Sequence, residues 1–147
     1  MPEDPEDLMA DLASFNEKLI AEFRANGGKV TGMFANSPLV LLTTTGAKSG
    51  KQRTTPVVYF EDGGNVVIVA SLAGAPKHPA WFLNIRANPE VTIERGIEKF
   101  RARATVPARA ERDRLYARAS ELMPAFVEYQ QKTTRVIPVV ALERLGN

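Results

Sequence analysis

The segment TTTGAKSGKQRTTP, residues 43–56, gathers hydroxyl groups, glycines and three cations around one turn. Lys48, Lys51 and Arg53 lie within six residues of one another, beside Ser49. Ammonium, guanidinium, hydroxyl and backbone amide groups donate the hydrogen bonds that phosphates and carboxylates accept. The segment therefore predicts a site for an anionic group. The alternative is a solvated hairpin tip that carries ordinary surface lysines.

The spacing of the glycines excludes a P-loop. A Walker A motif requires G-x-x-x-x-G-K-[ST] followed by a helix. Only three residues separate Gly46 from Gly50, Gln52 stands in the Ser/Thr place, and a strand is predicted to follow. The GxGxxG fingerprint of dinucleotide-binding folds is also absent.

A second donor-rich segment, ASLAGAPKHPAWFLN at residues 70–84, starts at the end of a predicted strand and enters a predicted helix. Small side chains let a flat ligand or a phosphate approach the backbone, and a helix N-terminus offers free amides. Trp81 is equally compatible with a core position, and His78 with a helix start or the surface. Two such loops after strands favour a ligand site.

One long helix and six strands must position these loops. Residues 5–26 predict an amphipathic helix that covers a core, because apolar residues recur at spacings of three and four: Leu8, Leu12, Phe15, Leu19 and Phe23. Residues rich in β-branched side chains, or alternating in polarity, predict strands over 37–45, 54–60, 65–71, 90–95, 99–105 and 135–145. Further helices are predicted over 78–89 and from Pro107 to about Met123. Pro138 indicates an edge strand or a bulge.

These elements predict an α+β fold, an antiparallel β-barrel with an N-terminal helix and additional helices. Parallel winding would require a regular alternation of strands and helices, which the pattern lacks. The 147 residues fit a single domain, 1–147, in which 5–26 form the helix and 37–145 the barrel with its inserted helices.

Composition limits the classes of function. The net charge is only +2, and few aromatic residues lie among the cations, so we predict no nucleic-acid partner. No cysteine and a single histidine, His78, argue against a metal site. No apolar run approaches the ~18 residues of a membrane span. The acidic N-terminus does not resemble a signal peptide, and we expect a cytoplasmic protein without a stable membrane anchor.

Four segments together resemble the deazaflavin-dependent nitroreductase (Ddn) family of split-barrel proteins, in the same order from about Phe15 to Leu145. They are FNEKLIAEFRANGGKV, LLTTTGAKSGKQRTTPVVYF, VASLAGAPKHPAWFLNIRANPEVTI and YQQKTTRVIPVVALERL. The patterns TTTGxKSGxxRxxP and HPAWxxNxxANP are the specific ones. The resemblance implies a flavin-reductase-like split β-barrel that binds coenzyme F420, an 8-hydroxy-5-deazaflavin with a phosphate and an oligoglutamate tail.

The resemblance also implies which residues hold the cofactor. Lys48 and Arg53 would meet the acidic tail and the phosphate, and the small residues after Val69 would border the deazaflavin. The implied cofactor-binding set is Lys48, Ser49, Lys51, Arg53, Thr55, Pro56, Val57, Ala70, Ser71, Ala73, Gly74, Trp81 and Asn84. FMN, the alternative cofactor of split barrels, carries one phosphate and would need fewer cations.

The segment MPAFVEYQQKTTR, before the last strand, is implied to line the acceptor pocket. Proteins of this family often place tyrosines there, whereas this chain has Met123 and Phe126 and keeps only Tyr129. These three are the predicted substrate-binding residues. The more apolar pocket favours a quinone or another flat lipophilic acceptor over a nitro compound. Tyr129 and Ser71 are the predicted catalytic residues, which would orient the acceptor or stabilise developing negative charge.

The predicted function is thus an F420H2-dependent reductase of the quinone reductase type, a monomer or a homodimer. Two alternatives stay open, an FMN-binding split-barrel reductase and a non-catalytic F420-binding protein. Because lipophilic acceptors reside in membranes, the prediction leaves room for transient contact and a peripheral location at the inner face of the membrane.

Overall fold

Six antiparallel strands close into a barrel. The computed structural model describes residues 5–146, except for the side chains of residues 5–13 and Met33. The strands are β1 (Leu39–Thr45), β2 (Gln52–Asp62), β3 (Asn65–Val69), β4 (Glu90–Arg95), β5 (Glu98–Thr105) and β6 (Val139–Arg144). They follow one another around the barrel in the order β1-β2-β3-β6-β5-β4, and every pair is antiparallel. The predicted fold class is confirmed.

Residues 5–146 also form four α-helices: α1 (Pro5–Ala25), α2 (Ala80–Ala87), α3 (Arg109–Leu122) and α4 (Ala125–Gln131). Two short 3₁₀ helices cover Gly32–Phe34 and Leu72–Gly74. α4 was not predicted. Met123 is extended, with φ −138° and ψ 93°, because the ring of Pro124 disfavours helical backbone in the residue before it. Within residues 5–146, no helix has the length and apolar character to cross a bilayer.

The interior of the barrel is filled by alternate strand residues and closed by α2. Val40, Leu42, Ile68 and Ile93 are among the buried strand residues, and Trp81, Phe82 and Ile85 of α2 join the same cluster. α2 therefore plugs the barrel, so the residues around Trp81 are fixed by the main core.

α1 covers one outer wall of the barrel. Leu19 and Phe23 pack with Leu39 and Leu41 of β1, which confirms the C-terminal part of the predicted apolar stripe. Phe15 is 43% exposed, and the side chains of Leu8 and Leu12 lie outside the described residues. Arg24 closes the contact by donating from Nε and Nη2 to both carboxylate oxygens of Glu94, at 3.0 and 2.8 Å.

α3 and α4 cover the opposite wall. Leu115, Tyr116 and Ala119 of α3 and Phe126 of α4 pack with Val67, Ile137 and Val139. This second outer cluster fixes α4 against strands β3 and β6. The chain leaves β3 directly into the 70–78 segment.

Several predicted strand bounds differ from the observed ones, and two of these differences lie next to the 70–78 segment. β3 ends at Val69, so Ser71 belongs to the following turn. β6 begins only at Val139, and Pro138 precedes it as an acceptor, with its carbonyl oxygen 2.9 Å from the Ala70 nitrogen. The predicted edge or bulge at Pro138 is therefore wrong. The proline, which cannot donate a ladder hydrogen bond, lies just outside the ladder.

Candidate functional site

The cation-rich segment is the tip of the β1–β2 hairpin, residues 46–51. Gly46 donates to the Lys51 carbonyl oxygen at 2.8 Å, Gly50 donates to the Gly46 oxygen at 3.0 Å, and Ser49 Oγ accepts from the Lys51 nitrogen at 3.1 Å. A Cβ atom at Gly46 would lie 2.5 Å from Ser49 Oγ, so a side chain there would displace the hydroxyl that accepts from the Lys51 nitrogen. The tip is thus an ordered platform for the exposed side chains of Lys48 and Lys51.

A groove of about 590 Å³ lies beside this tip. The hairpin forms one side, α2 another, and Asn16, Glu17 and Ile20 of α1 the third. Six of the predicted cofactor-binding residues line it: Lys48, Ser49, Arg53, Thr55, Trp81 and Asn84. The structure therefore brings the hairpin tip and the helical end of the second segment to one groove.

Asn84 joins the helix to the hairpin. Its Oδ1 accepts from the Ala47 nitrogen at 3.0 Å, and its Nδ2 donates to Thr44 Oγ1 at 3.1 Å. Trp81, one turn earlier on α2, is buried in the core. Asn84 thus ties the hairpin tip to the helix that plugs the barrel.

Arg53 of the groove differs from most arginines of the described residues in its pairing, whereas no described lysine forms an ion pair. Among the residues that the structure describes, nine arginines form ion pairs with carboxylates. In that same part of the chain, Lys48, Lys51 and Arg53 form none, and Glu17 is the one acidic residue in the groove lining. Cations without carboxylate partners leave a local excess of positive charge, which suits an anionic ligand.

The loop after β3 has an unusual backbone. Leu72 and Ala73 have φ values of 46° and 55°, and they are the only non-glycine residues with positive φ within residues 5–146. Left-handed backbone costs an L-residue about 1–2 kcal/mol. Gly74 follows with φ 84°, and a Cβ atom there would lie 2.8 Å from the Tyr129 carbonyl oxygen. The loop is strained and packs directly on α4, features that cluster at functional sites.

Arg135 holds this loop from the segment between α4 and β6. Its Nε donates to the Ala75 oxygen at 2.9 Å, Nη2 donates to the Ser71 oxygen at 2.8 Å, and both Nη atoms lie 3.2 Å from the Ala70 oxygen. Its Nη1 also lies 3.2 Å from His78 Nδ1. Burial, with the charges of Arg135 and Arg86, lowers the pKa of His78, which favours the neutral imidazole that accepts this bond.

A second cavity, of about 370 Å³, lies between the barrel wall and the α3–α4 pair. Met123 and Phe126 line it with Val58, Phe60, Val67 and Leu122. None of its lining residues belongs to the cationic groove. The structure thus separates the apolar residues predicted for the acceptor from the cations predicted for the cofactor.

Tyr129 is half-buried, and its ring centroid lies 6.0 Å from that of Phe126. Tyr116 donates its hydroxyl to the Phe126 carbonyl. Within residues 14–146, neither Tyr129 nor Ser71 has a comparable side-chain hydrogen bond. Tyr129 is partly exposed, whereas Ser71 is buried.

The remaining predicted residues lie outside the groove lining. Lys51 is exposed on the hairpin tip, while Pro56 and Val57 lie further along β2, with Val57 packed on the interior core. Ala70, Ser71, Ala73 and Gly74 lie in the strained loop, whose Leu72–Gly74 turn packs on α4 with Gly74 next to the Tyr129 carbonyl oxygen.

Sequence reasoning missed three contributors. The first is the set of α1 residues that line the groove, which includes Glu17. The other two are Arg135, which holds the loop by its hydrogen bonds, and His78, which lies 3.2 Å from Arg135 Nη1. The docking of α1 on the barrel could not be inferred from its periodicity, which indicates an apolar face but no partner. Arg135 lies within YQQKTTRVIPVVALERL, one of the segments that resemble the family. No local pattern in it identifies the carbonyl oxygens to which Arg135 donates.

Comparison with known proteins gives consistent results. A model of the F420H(2)-dependent quinone reductase family matches residues 17–144. The F420H(2)-dependent quinone reductase Rv1261c of Mycobacterium tuberculosis is 38% identical over 130 residues, which make up 84% of this chain and 86% of that protein.

Two solved structures are similar in both sequence and fold. One, an F420-H2 dependent reductase named FDR-A, is 44% identical with a TM-score of 0.66, covering 72% of this chain and 94% of that chain. The other, described as a domain-swapped dimer, is 37% identical with a TM-score of 0.68, covering 95% of this chain and 100% of that chain.

Proposed function

Because the chain belongs to the F420H(2)-dependent quinone reductase family, we propose that its cationic groove holds coenzyme F420 and that a quinone is the acceptor. The family makes the protein an F420H2-dependent oxidoreductase. The observation that carries the proposal is the groove itself, where Lys48 and Arg53 have no carboxylate partner among the described residues. Such cations suit the carboxylates and phosphate of F420.

The residues present fit this cofactor in two further respects. Ser49 and Thr55 add hydroxyl donors to the groove lining, which complement the two cations. In the strained loop Ala73 is exposed and has a small side chain, so a flat ring could approach the backbone there, whereas Ala70, Ser71 and Gly74 are buried. When bound, reduced F420 supplies a hydride from its deazaflavin C5.

The protein's contribution to such a reaction is positioning and charge stabilisation. We propose that Lys48 and Arg53 hold the anionic end of the cofactor and that the 70–75 loop shapes the place of its ring. Tyr129 or Ser71 would donate a hydrogen bond to the acceptor oxygen as negative charge develops there. The apolar surface around Met123 and Phe126 would receive the lipophilic part of a quinone.

The test is a pair of binding titrations with F420 and FMN, followed by steady-state oxidation of reduced F420 with menadione. We expect F420 to bind more tightly than FMN and menadione to be reduced. Tighter binding of FMN would favour an FMN-dependent reductase. Binding of F420 without turnover of any quinone would favour a non-catalytic F420-binding protein.

Two further proposals concern assembly and location. A domain-swapped dimer among the similar structures favours a homodimer for this chain, which sedimentation equilibrium would test against a monomer. We also propose that contact with membranes is transient, since the acceptor is lipophilic. Stable co-sedimentation with anionic vesicles at physiological salt would contradict that proposal.

A further inference from the structure

The Arg135 guanidinium is shared among four acceptors of a single loop. Three backbone carbonyl oxygens, of Ala70, Ser71 and Ala75, and the imidazole of His78 surround it at 2.8–3.2 Å. A planar guanidinium presents five N–H donors in a fixed fork, whereas a lysine ammonium presents three from one point. The arrangement therefore uses the geometry of arginine in addition to its charge.

The backbone of Arg135 is itself fixed from the other side. Gln130 of α4 donates from Nε2 to the Arg135 carbonyl oxygen at 2.7 Å, and its Oε1 accepts from the Ile137 nitrogen at 3.0 Å. The same Oε1 accepts from Arg112 Nη2 at 2.6 Å. Arg112 is buried, and its Nε donates to the Ile137 oxygen at 2.9 Å. The chain of contacts runs from α3 through α4 to the loop.

The loop needs such support. Two consecutive non-glycine residues, Leu72 and Ala73, are held in left-handed backbone, and both are exposed, so the core does not impose this shape. Inside the turn, Gly74 donates to the Ser71 oxygen at 2.9 Å and Ala75 donates to the Leu72 oxygen at 3.0 Å. Arg135 adds bonds at both ends of that turn, at Ser71 and at Ala75.

We propose that Arg135 is a positioning residue, which holds the 70–78 loop in its strained shape and thereby links the cofactor side of the site to α4. The proposal rests on the proposed function insofar as the ligand is F420. Arg135 acts through the loop carbonyls, and through them it sets where Ser71 and Ala73 stand relative to Tyr129.

The first experiment compares Arg135→Ala and Arg135→Lys with the control Arg86→Ala. Arg86 lies in the same surface groove as His78, but among the described residues it has no hydrogen bond to the loop. We expect Arg135→Ala to weaken binding of oxidised F420 by about tenfold or more, because several charge-assisted bonds are lost. Arg135→Lys should be intermediate, and Arg86→Ala should change the affinity by less than about twofold.

Amide hydrogen exchange of the ligand-free proteins gives a readout independent of activity and of F420. In Arg135→Ala and Arg135→Lys, the Gly74 and Ala75 amides should exchange faster, while those of β4 and β5 stay protected. Unchanged exchange at Gly74 and Ala75 would overturn the clamp, whatever the affinity. If the wild type does not bind F420, the proposed function is wrong. Hydrogen exchange at Gly74 and Ala75 would still show whether Arg135 holds the loop.

A pH series separates positioning from general stability. Protonated His78 could no longer accept from Arg135, and the charged groups around it, Arg86 of α2, Arg109 and Arg112 of α3 and Arg135, are all cations. Its depressed pKa places the loss below the ordinary value of about 6.5. In His78→Asn, an amide oxygen can replace Nδ1 as acceptor without titrating.

The ratio of wild-type to His78→Asn affinity for F420 should therefore stay constant at neutral pH and fall only as the pH drops below about 6.5. Titration of the cofactor's own phosphate and carboxylates cancels in this ratio. The same ratio measured in the Arg135→Ala background should be independent of pH. A ratio that falls equally without Arg135 would contradict the proposal.

Discussion

The two cavities of this protein differ in chemistry and in the elements that build them. The groove beside the β1–β2 hairpin presents Lys48 and Arg53 without carboxylate partners among the described residues, and it is walled by α1 and α2. The cavity between the barrel and the α3–α4 pair is lined mainly by apolar side chains. Because no residue lines both, substitutions in one should change anion binding and substitutions in the other acceptor use.

The buried and exposed arginines sharpen this contrast. Arg112 and Arg135 satisfy their donors with carbonyl and side-chain acceptors and act as structural ties. Arg53 lies at the edge of a groove with no such partner in the described part of the chain. The same residue type thus serves either the fold or a ligand, and its hydrogen-bond partners distinguish the two roles.

The largest effect is expected from removing both groove cations. Each charge-assisted contact with an anionic ligand is worth about 1.5–3 kcal/mol, so Lys48→Ala with Arg53→Ala should weaken F420 binding by about 100-fold or more. Fluorescence titration with oxidised F420 measures it. Arg101→Ala with Arg103→Ala is the matched control, since both of these arginines pair with Glu90 on the outer face of the barrel. An equal loss in the control would show that net charge, not the groove, binds the cofactor.

The next largest effect concerns acceptor use. Tyr129→Phe should lower the rate of menadione reduction by up to about 10²-fold, the lower range for loss of a hydrogen bond to developing negative charge. F420 affinity should hardly change. We also expect the wild type to reduce menadione faster than a bicyclic nitroimidazole, because the segment around Tyr129 offers few donors. Steady-state oxidation of reduced F420 tests both. Faster nitro reduction would overturn the preference, and an unchanged quinone rate would remove Tyr129 from the mechanism.

A smaller effect should follow from releasing the hairpin tip. Asn84→Ala removes the hydrogen bonds to the Ala47 nitrogen and Thr44 Oγ1, at about 1 kcal/mol each, and should weaken F420 binding by about tenfold. Asn88→Ala is the control, since its amide reaches only the Thr45 oxygen at 3.4 Å. Calorimetric titration of both variants tells whether the hairpin's position matters as well as its charge. Equal F420 affinities of Asn84→Ala and Asn88→Ala would mean that Asn84 is not needed to position the hairpin tip.

The smallest effect tests the α1 wall of the groove. The hydrogen bond from Arg24 lowers the pKa of Glu94, so the pair stabilises the protein above the unfolded pKa of about 4.3 and the contribution is lost as pH falls through the folded value. Because Arg24 is largely exposed, Glu94→Gln should cost about 1 kcal/mol or less at neutral pH. Urea denaturation at neutral and acid pH measures it, with Glu90→Gln as control. A larger cost for Glu90→Gln would contradict the special role of this pair.

Much of the fold could be predicted because its signals are local. Alternating residues in β4 and β5 and the hairpin turns indicate strands without any knowledge of the tertiary structure. α4 was missed because its seven residues are too short for a periodic pattern and follow directly on Pro124. The beginning of β6 was misplaced because Val136 and Ile137 resemble strand residues, although Ile137 packs with α3 instead.

The candidate site was predicted less completely, for a related reason. The hairpin cations, Trp81 and Asn84 are adjacent to recognisable turns and to segments that carry the resemblance. Glu17 and Arg135 reach the site only through long-range packing, of α1 on the barrel in one case and of the 135–137 segment on a distant loop in the other. Neither contact leaves a local trace in the sequence.

The place of β6 in the barrel has a consequence for synthesis on the ribosome. β6 follows the other five strands in the chain, yet it lies between β3 and β5 and pairs with both. Until residues 139–144 have left the exit tunnel, two strand edges stay unpaired and the barrel stays open, although most of its apolar residues have already been translated. A chain that has not yet added β6 therefore exposes both edges to pairing with other chains, and insertion of β6 removes them together.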